Sequence, residues 1–386
     1  MADNKKVYRD YNIVGKIRRN PKDFETVEVE NGRKSISLSY IVTTDDGDSM
    51  FLKFKCGFFL GKPNDFKIIT KEGNEVQVAW EERTNQNILD MVDDYRKIKV
   101  NLKSSNYEDR TDYLNMFDVV NDLKVNLKDD TRVCIQMGTY IGTIWDKDKA
   151  QRKSFESKQL KSIRLANEDE KDKIEIKGQF LINSSSLEIQ PNGDIKVNGF
   201  VSSSKRNDDG TRTDCYEPYL VNINKEELAS TMEKNTGTSP TDETVTKVIE
   251  MYKGFLACPM GETRKVSFTM KYVNKSSYIA PTEKDLNDQQ RLLIELGATT
   301  LEAELKKLSA KKGDEKRYIA ILSPNFDLEG GNTSEKVDIT DEELMFNPFK
   351  VSNGSIDEAL GQAPAPTNNP PSQNAEDLLK NMGLGI

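Results

Sequence analysis

The sequence of 386 residues is polar and acidic, with a formal net charge of −8, 35% hydrophobic residues and 31% charged residues. This length is sufficient for two or three domains, and the polar balance favours several small hydrophobic cores over one large core. The absence of histidine excludes Ser-His-Asp and Cys-His catalysis and histidine metal sites. The four cysteines lie far apart without a C-x-x-C pair, which excludes the common zinc spacings. We therefore expect a protein that is not an enzyme and has no cofactor.

Membrane and export signals are absent from the sequence pattern. No stretch approaches about 18 consecutive apolar residues, the length of a membrane-spanning helix. The N-terminal MADNKKVYRDYN has no apolar run behind its charges, so no secretory signal is predicted. We expect a soluble, cytoplasmic protein with no membrane partner.

Residues 1–105 have the pattern of a small β-module. Short runs rich in Val, Ile, Phe and Tyr alternate with turn sequences such as Asp45-Asp46-Gly47. The runs are VYRDYNIVGKI, SISLSYIVT, SMFLKFKCGFF, NEVQVAWEE and RKIKVNL. Such a set of strands suits a small closed sheet. Residues 106–130 are predicted as a helical connector, because residues 111–124 place apolar side chains on one helical face.

The rest of the chain is predicted as a second β-module followed by a short helical part and a tail. Residues 131–280 contain further strands and a helix over residues 242–256. Residues 281–350 are predicted as an α-rich end, with a helix pair broken at Gly297. The expected fold class is mainly β with helical inserts (α+β), built from two barrel modules and a disordered C-terminal tail.

A glycine recurs inside the predicted strands in the pattern apolar-x-Gly-x-apolar. It occurs around Gly15, Gly142, Gly178 and Gly199. Because glycine weakens a strand, it usually marks a bulge, a tight barrel corner or a close approach of another backbone. A strand that bends enough to serve both halves of a small barrel needs such a point.

Cations and aromatic residues cluster near these strands. Between residues 146 and 164, seven Lys and Arg outnumber three Asp and Glu, a net of 7 − 3 = +4. Single strands are bound by cationic grooves that carry aromatic rings on which bases stack. The candidate nucleic-acid-binding residues are Lys16, Arg18, Arg19, Lys53, Lys55, Trp145, Arg152, Lys153, Phe155, Lys158, Lys205, Arg206, Arg212 and Tyr216.

We expect different positions for two aromatic residues in these runs. Strand alternation places Lys53 and Lys55 on one face and Phe54 on the other, so Phe54 is predicted to lie in the core. Trp145 ends its strand beside charges, and stacking and core roles are equally open for it. For each lysine alone, a solvated surface position is an adequate explanation; only their clustering indicates a binding site.

The C-terminal tail carries the acidity of the chain. From residue 325 onward there are eleven acidic residues and three lysines, a net of 3 − 11 = −8, which equals the value for the whole chain. Residues 361–374, rich in Pro, Asn and Gln, are predicted to be a disordered linker. The tip that follows is a candidate partner-binding peptide, and a terminus without a role is an equal alternative. Its candidate residues are Glu376, Asp377, Leu378, Leu379 and Met382.

The order of these features resembles the single-stranded DNA-binding proteins encoded by tailed phages. Gly15 and Gly142 each lie in a predicted first strand that is followed by a basic loop and an alternating strand, which resembles the entry of an OB-fold. The linker and acidic tip follow the barrels, as in that family. The resemblance implies two OB barrels that bind single-stranded DNA in replication, recombination or repair. It also implies replication or recombination proteins as partners of the tip, and the host cytoplasm as the location.

A second class of function fits the same pattern. In a β-rich virion or assembly protein without nucleic-acid binding, the strand glycines would be structural and the tail would be a scaffold contact. Cations and rings placed on one face would favour single-strand binding over this alternative.

Overall fold

The computed structural model describes the backbone of residues 6–19, 27–29, 33–59, 66–104, 107–146, 151–206, 211–279, 282–308 and 311–346. Within these ranges the protein is mainly β with several short helices, so the predicted fold class is confirmed. The ranges belong to one compact unit that ends at Phe346. The predicted tail, with its five candidate partner-binding residues, lies outside the described residues.

The bounds of the elements follow in chain order. The strands are β1 (Arg9–Arg19), β2 (Val27–Val29), β3 (Arg33–Thr43), β4 (Ser49–Phe59), β5 (Phe66–Ile69), β6 (Glu75–Val78), β7 (Ile98–Asn101), β8 (Thr111–Tyr113), β9 (Thr131–Asp146), β10 (Gln151–Leu165), β11 (Lys173–Asn183), β12 (Leu187–Ile189), β13 (Ile195–Arg206), β14 (Arg212–Ile223), β15 (Thr263–Ile279), β16 (Lys311–Pro324) and β17 (Ser334–Val337). The α-helices are α1 (Gln86–Met91), α2 (Met116–Asn126), α3 (Lys225–Thr236), α4 (Asp242–Phe255), α5 (Asp288–Glu295), α6 (Leu301–Lys307) and α7 (Asp341–Met345). Across the described ranges, none of these helices has the length and apolar character needed to cross a bilayer.

Five strands in the C-terminal half form a closed barrel, here called the second barrel. β11 pairs with β13, β13 with β14, β14 with β16, β16 with β15, and β15 with β11 again. Helices α3 and α4 lie between β14 and β15 in the chain. This order of strand pairs, with a helix before the fourth strand, is that of an OB-fold barrel.

The N-terminal half repeats this order of elements and is here called the first barrel. β3 pairs with β1 and β4, β1 with β9, and β9 with β10. Helix α2 precedes β9 as α3 and α4 precede β15. The parallel partner of β10 is β7, from the segment inserted after β4, which takes the place that β14 has beside β16.

The two barrels share one continuous hydrophobic core, because strands of one pair with strands of the other. In β4, Leu52 and Phe54 are buried, whereas Phe51, Lys53 and Lys55 are exposed. The predicted core position of Phe54 is therefore confirmed. Helix α2 packs against β3 and β4 and adds the fully buried Val119 and Val120 to the same core.

Gly15 lies where β1 changes partners. On one edge of β1, residues 9–14 pair with β11 and residues 16–19 pair with β3. A Cβ atom added at Gly15 would lie 2.7 Å from the carbonyl oxygen of Thr43. The predicted close approach of another backbone is thus confirmed at this glycine. Gly178 has a similar position in β11, because it is the last residue that pairs with β1, three positions before Leu181, which pairs with β13.

Replacing Gly15 by alanine is expected to lower the free energy of unfolding by about 1–3 kcal/mol, because a backbone oxygen cannot yield as a side chain can. Gly254 is a matched control, since a Cβ there would meet no atom within 4 Å. Because Gly254 lies inside α4, Gly254→Ala should stabilise the protein by up to about 1 kcal/mol. Denaturant unfolding followed by circular dichroism gives both values, and equal effects of the two substitutions would contradict the prediction.

The observed strands differ from the sequence prediction at two places after residue 130. Gly142 lies in β9, the fourth strand of the first barrel, whereas the second barrel opens with β11. The basic stretch predicted as a loop is strand β10 from Gln151 onward, paired with β9. Residues 151–159 of this strand are polar except for Phe155, so no alternation of apolar and polar residues marks this part of it. The pairing of β1 with β9 crosses the predicted limits at residues 105 and 130, and those limits stay a prediction.

Candidate nucleic-acid interface

The outer surface of β1, β3 and β4 forms a mixed apolar and cationic face, here called the open face. Its central row runs across the three strands, because Arg18 pairs with Ile41 and Ile41 pairs with Phe51. Paired residues of antiparallel strands point to the same face of a sheet. Phe51 is 53% exposed and Ile41 is 41% exposed, so the row offers an aromatic ring and an aliphatic side chain to solvent.

Four cations lie on the open face, and one of them, Arg18, belongs to this row. Lys16 and Arg18 lie on β1, and Lys53 and Lys55 alternate with buried residues on β4. All four side chains are exposed. The structure thus brings together four of the sequence-predicted candidates, although they lie almost forty positions apart in the chain.

The counterions of the open face are weakly held. Lys16 Nζ lies 3.9 Å from Asp45 Oδ1, and Arg18 Nη2 donates to Asp130 Oδ1 over 2.9 Å. The hydrogen bond to Asp130 raises the pKa of Arg18 above its ordinary value. Because these side chains are mostly exposed, each pair contributes little to stability. Phosphate groups of a ligand can therefore replace these carboxylates as partners of Lys16 and Arg18 at a small cost in free energy.

The place of the open face within the barrel matches the surface that OB-folds use. In that fold, the face of the second and third strands and the loops after the first and fourth strands bind oligonucleotides. In the first barrel β3 and β4 are the second and third strands, and β9 and β10 are the fourth and fifth.

The hairpin of β9 and β10 carries four further candidates whose backbone positions are described. Trp145 pairs with Arg152, Ile144 with Lys153, and Gly142 with Phe155. The side chains of Trp145, Arg152, Lys153 and Phe155 lie outside the described residues. The register alone places the cations of β10 opposite the last residues of β9.

Two other candidates of the first barrel have defined surroundings. The Nζ atom of Lys158 lies 5.2 Å from the ring centroid of the buried Tyr11. Arg19 is half-buried, and its main-chain N–H donates to Asp129 Oδ1 over 2.6 Å. These contacts hold both residues against the first barrel, outside the row of Arg18, Ile41 and Phe51.

The candidates of the second barrel divide into two groups. Lys205, Arg206 and Arg212 end the hairpin of β13 and β14, where Arg206 pairs with Arg212; their side chains lie outside the described residues. Tyr216 is half-buried on the outer surface and packs against a cluster that contains the buried Leu344. Tyr216 is therefore covered by another part of the chain, in contrast to Phe51.

Sequence reasoning missed Ile41 and Phe51. The strand alternation that places Lys53 and Lys55 outside also places Phe51 outside, and this was the available signal. Ile41 could be assigned only with the register of β3 against β4, which joins residues ten positions apart across a hairpin.

A charged cavity of about 710 Å³ lies beside the turn between β3 and β4, where the barrels meet. Lys271 Nζ lies 3.0 Å from Asp48 Oδ2 and 2.9 Å from Glu227 Oε2. Burial would raise the pKa of Glu227, but the hydrogen bond and charge of Lys271 hold it below its ordinary value. Within the described residues, no group of acidic or cysteine side chains is arranged to hold a metal ion. The charges here join Asp48 of the first barrel to Glu227 and Lys271 of the second.

Comparison with known proteins gives weak structural likenesses. No protein-family model matches the chain, and no curated protein matches it. Among solved structures, the wild-type single-stranded DNA binding protein from Thermus aquaticus is similar with a TM-score of 0.29 and 8% identity, over 70% of this chain and 87% of that chain. A deletion and point mutant of the same Thermus aquaticus protein has a TM-score of 0.27 and 11% identity over the same shares. At these TM-scores, neither the fold nor the function of this chain follows from the likeness.

Proposed function

We propose that the protein binds single-stranded DNA without catalysis, through the open face of the first barrel, in DNA replication, recombination or repair of a phage. The observation that carries the proposal is the exposed row of Arg18, Ile41 and Phe51, on strands that include those an OB-fold uses for oligonucleotides. Lys53 lies two positions from Phe51 on the same face of β4. An exposed phenyl ring on a barrel wall is of no use to the core, because the other face of β4 supplies that core.

The chemistry of the open face suits a single strand better than a duplex. An unpaired base can stack on Phe51, and such stacking contributes about 1–3 kcal/mol per base. The bases of a duplex already stack on each other, so the ring has no partner there. The cations meet the phosphates and release counterions, which makes binding dependent on salt. Residues 1–324 have no net charge, so a local group of cations has to supply this attraction.

The remaining candidates extend the proposed site. Trp145, Arg152, Lys153 and Phe155 belong to the hairpin of β9 and β10, the connection that flanks the binding face in an OB-fold. We propose that this hairpin holds the strand against the open face. The tip of the C-terminal tail is proposed to contact replication or recombination proteins.

Titration of the full chain with oligo-dT at two salt concentrations tests the proposal. We expect binding at low salt, preference over a duplex of equal length, and weaker binding as salt rises. Lys53→Ala and Lys55→Ala should each reduce the slope of log affinity against log salt by about 0.7, the value of one contact with a single strand. Lys247→Ala is the matched control, because Lys247 lies on α4, with a 75% exposed side chain paired to Glu243.

The same titration can contradict the proposal. If the full chain does not bind oligo-dT at low salt, single-strand binding is excluded and the virion or assembly role is favoured. If it binds but the three lysine variants have equal slopes, the open face is not the place where the phosphates lie.

A further inference from the structure

The last described part of the chain, residues 334–345, lies on the outside of the second barrel and is here called the strap. It consists of β17, a short connection and α7. Val337, Ile339 and Leu344 of the strap are buried against Leu181, with Phe200 and Tyr216 packed on the same cluster. The strap therefore covers the outer surface of β11, β13 and β14.

The covered surface corresponds to the open face of the first barrel. Arg18 follows Gly15 by three positions and pairs with Ile41 of the second strand. Leu181 follows Gly178 by three positions and pairs with Phe200 of the second strand. Because both glycines lie where the first strand changes partners, the two rows occupy the same place in their barrels. One row is open and the other is covered.

The covered surface has the side chains of a strand-binding face. It presents two aromatic rings, Phe200 and Tyr216, on neighbouring strands. Tyr216 pairs with Ser202, whose Oγ accepts a hydrogen bond of 2.9 Å from the main-chain N–H of Val7. At the far end of the same hairpin, the register pairs Arg206 with Arg212. Exposed rings of this kind are the surfaces on which the bases of a single strand stack.

The strap itself is strongly acidic. Residues 334–345 contain five acidic residues and one lysine, a net of 1 − 5 = −4. Its first part, β17, pairs with β15, and Lys265 Nζ lies 2.6 Å from Glu335 Oε1. Further along, Asn183 Nδ2 donates to Asp341 Oδ1 over 2.8 Å. Beyond β17, Ile339 and Leu344 are the buried apolar side chains of the part that crosses the covered surface. An anionic segment thus lies over the rings that a polyanion would use.

We propose that the outer surface of β11, β13 and β14 is a second single-strand-binding face that the acidic strap holds closed, so that strap and strand exclude each other. This inference rests on the proposed function of the first barrel. It assigns one open site to each chain in the closed state and two sites once the strap is released. Leu181 in place of Arg18 helps to explain why the second face can be closed, since an apolar side chain packs against Leu344 and Ile339, whereas burial of an unpaired guanidinium there would cost free energy.

Substitution of one strap residue tests the inference in the full chain. Leu344 is 1% exposed and its neighbour Met345 is 70% exposed, so Leu344→Asp should release the strap and Met345→Asp should not, although both add one charge. Titration with long poly-dT measures the number of nucleotides covered per chain. We expect Leu344→Asp to increase this number about twofold and Met345→Asp to leave it at the wild-type value.

Hydrogen exchange of the wild-type chain provides a test that needs no variant. Saturating long poly-dT should accelerate exchange in residues 334–345, whereas an oligo-dT that fills only one site should not. An unchanged footprint in folded Leu344→Asp, or unchanged exchange of the strap under saturating poly-dT, would overturn the second face. These outcomes differ from failure of the proposed function, in which the wild type does not bind at all. If the Leu344→Asp variant bound poly-dT while the wild type did not, the strap would be supported as a cover of the second face. The open face of the first barrel would then be excluded as a binding site.

Discussion

Phe51→Ala is expected to weaken binding of oligo-dT by about 5- to 150-fold, the loss that corresponds to one stacked base at about 1–3 kcal/mol. Phe51 is 53% exposed, and its neighbours Leu52 and Met50 rather than its own ring fill the core. The substitution should therefore leave the free energy of unfolding nearly unchanged. Fluorescence titration at one fixed salt concentration measures the loss.

The control for this substitution is another exposed ring. Tyr95 is 70% exposed, with the guanidinium of Arg96 over its ring, and it lies in the segment inserted between β4 and β9. Tyr95→Ala should keep wild-type affinity, and Phe51→Trp should keep or raise it because a larger ring stacks at least as well. Equal affinities of Phe51→Ala and the wild type would show that no base stacks on the open face.

Lys271→Met is expected to lower the free energy of unfolding by about 3–5 kcal/mol, because it leaves buried carboxylates without their cation. Asp48 is 1% exposed and Glu227 is 5% exposed, so both carboxylates are largely shielded from bulk solvent. Glu227 keeps a longer contact of 3.7 Å with Lys275, whereas among the described residues the Asp48 carboxylate keeps a 3.2 Å hydrogen bond from the main-chain N–H of Asn274. Urea unfolding of the full chain gives the value.

Lys247→Met is the matched control for the loss at Lys271. Its side chain is 75% exposed in a helix-surface pair, so its loss should change the free energy of unfolding by about 0.5 kcal/mol or less. The double variant Asp48→Asn with Lys271→Met should recover part of the loss, since an amide is less costly to bury than a carboxylate. If Lys271→Met lowered the free energy of unfolding no more than Lys247→Met does, the charges between the barrels would not stabilise the fold.

Much of the first barrel could be predicted because its strands alternate. In β4 every second residue is apolar from Leu52 onward, which places Phe54 inside and Lys53 and Lys55 outside without knowledge of any partner strand. Gly15 carried a second local signal, since a glycine in an apolar strand usually marks a bulge, a tight corner or a close approach of another backbone. These signals need only neighbouring residues.

The parts that were missed depend on contacts between distant residues. The first part of strand β10, residues 151–159, is polar except for Phe155 and pairs with β9, so it resembles a loop in the sequence. Likewise, the cover over Tyr216 comes from Leu344, which lies more than a hundred positions further along the chain. The open face was predicted only in part. Its lysines on β4 follow from strand alternation, but the row through Ile41 requires the register of three strands, which joins distant residues.

Photo-crosslinking tests the central claim most directly, because it reports where the strand lies. An oligo-dT that carries 5-iododeoxyuridine would be bound to the full chain, irradiated and mapped by mass spectrometry. We predict a crosslink to Phe51 within residues 49–56, abolished in Phe51→Ala and retained in Tyr95→Ala. Efficient crosslinks confined to other surfaces, with residues 49–56 unlabelled, would contradict the assignment of single-strand binding to the open face.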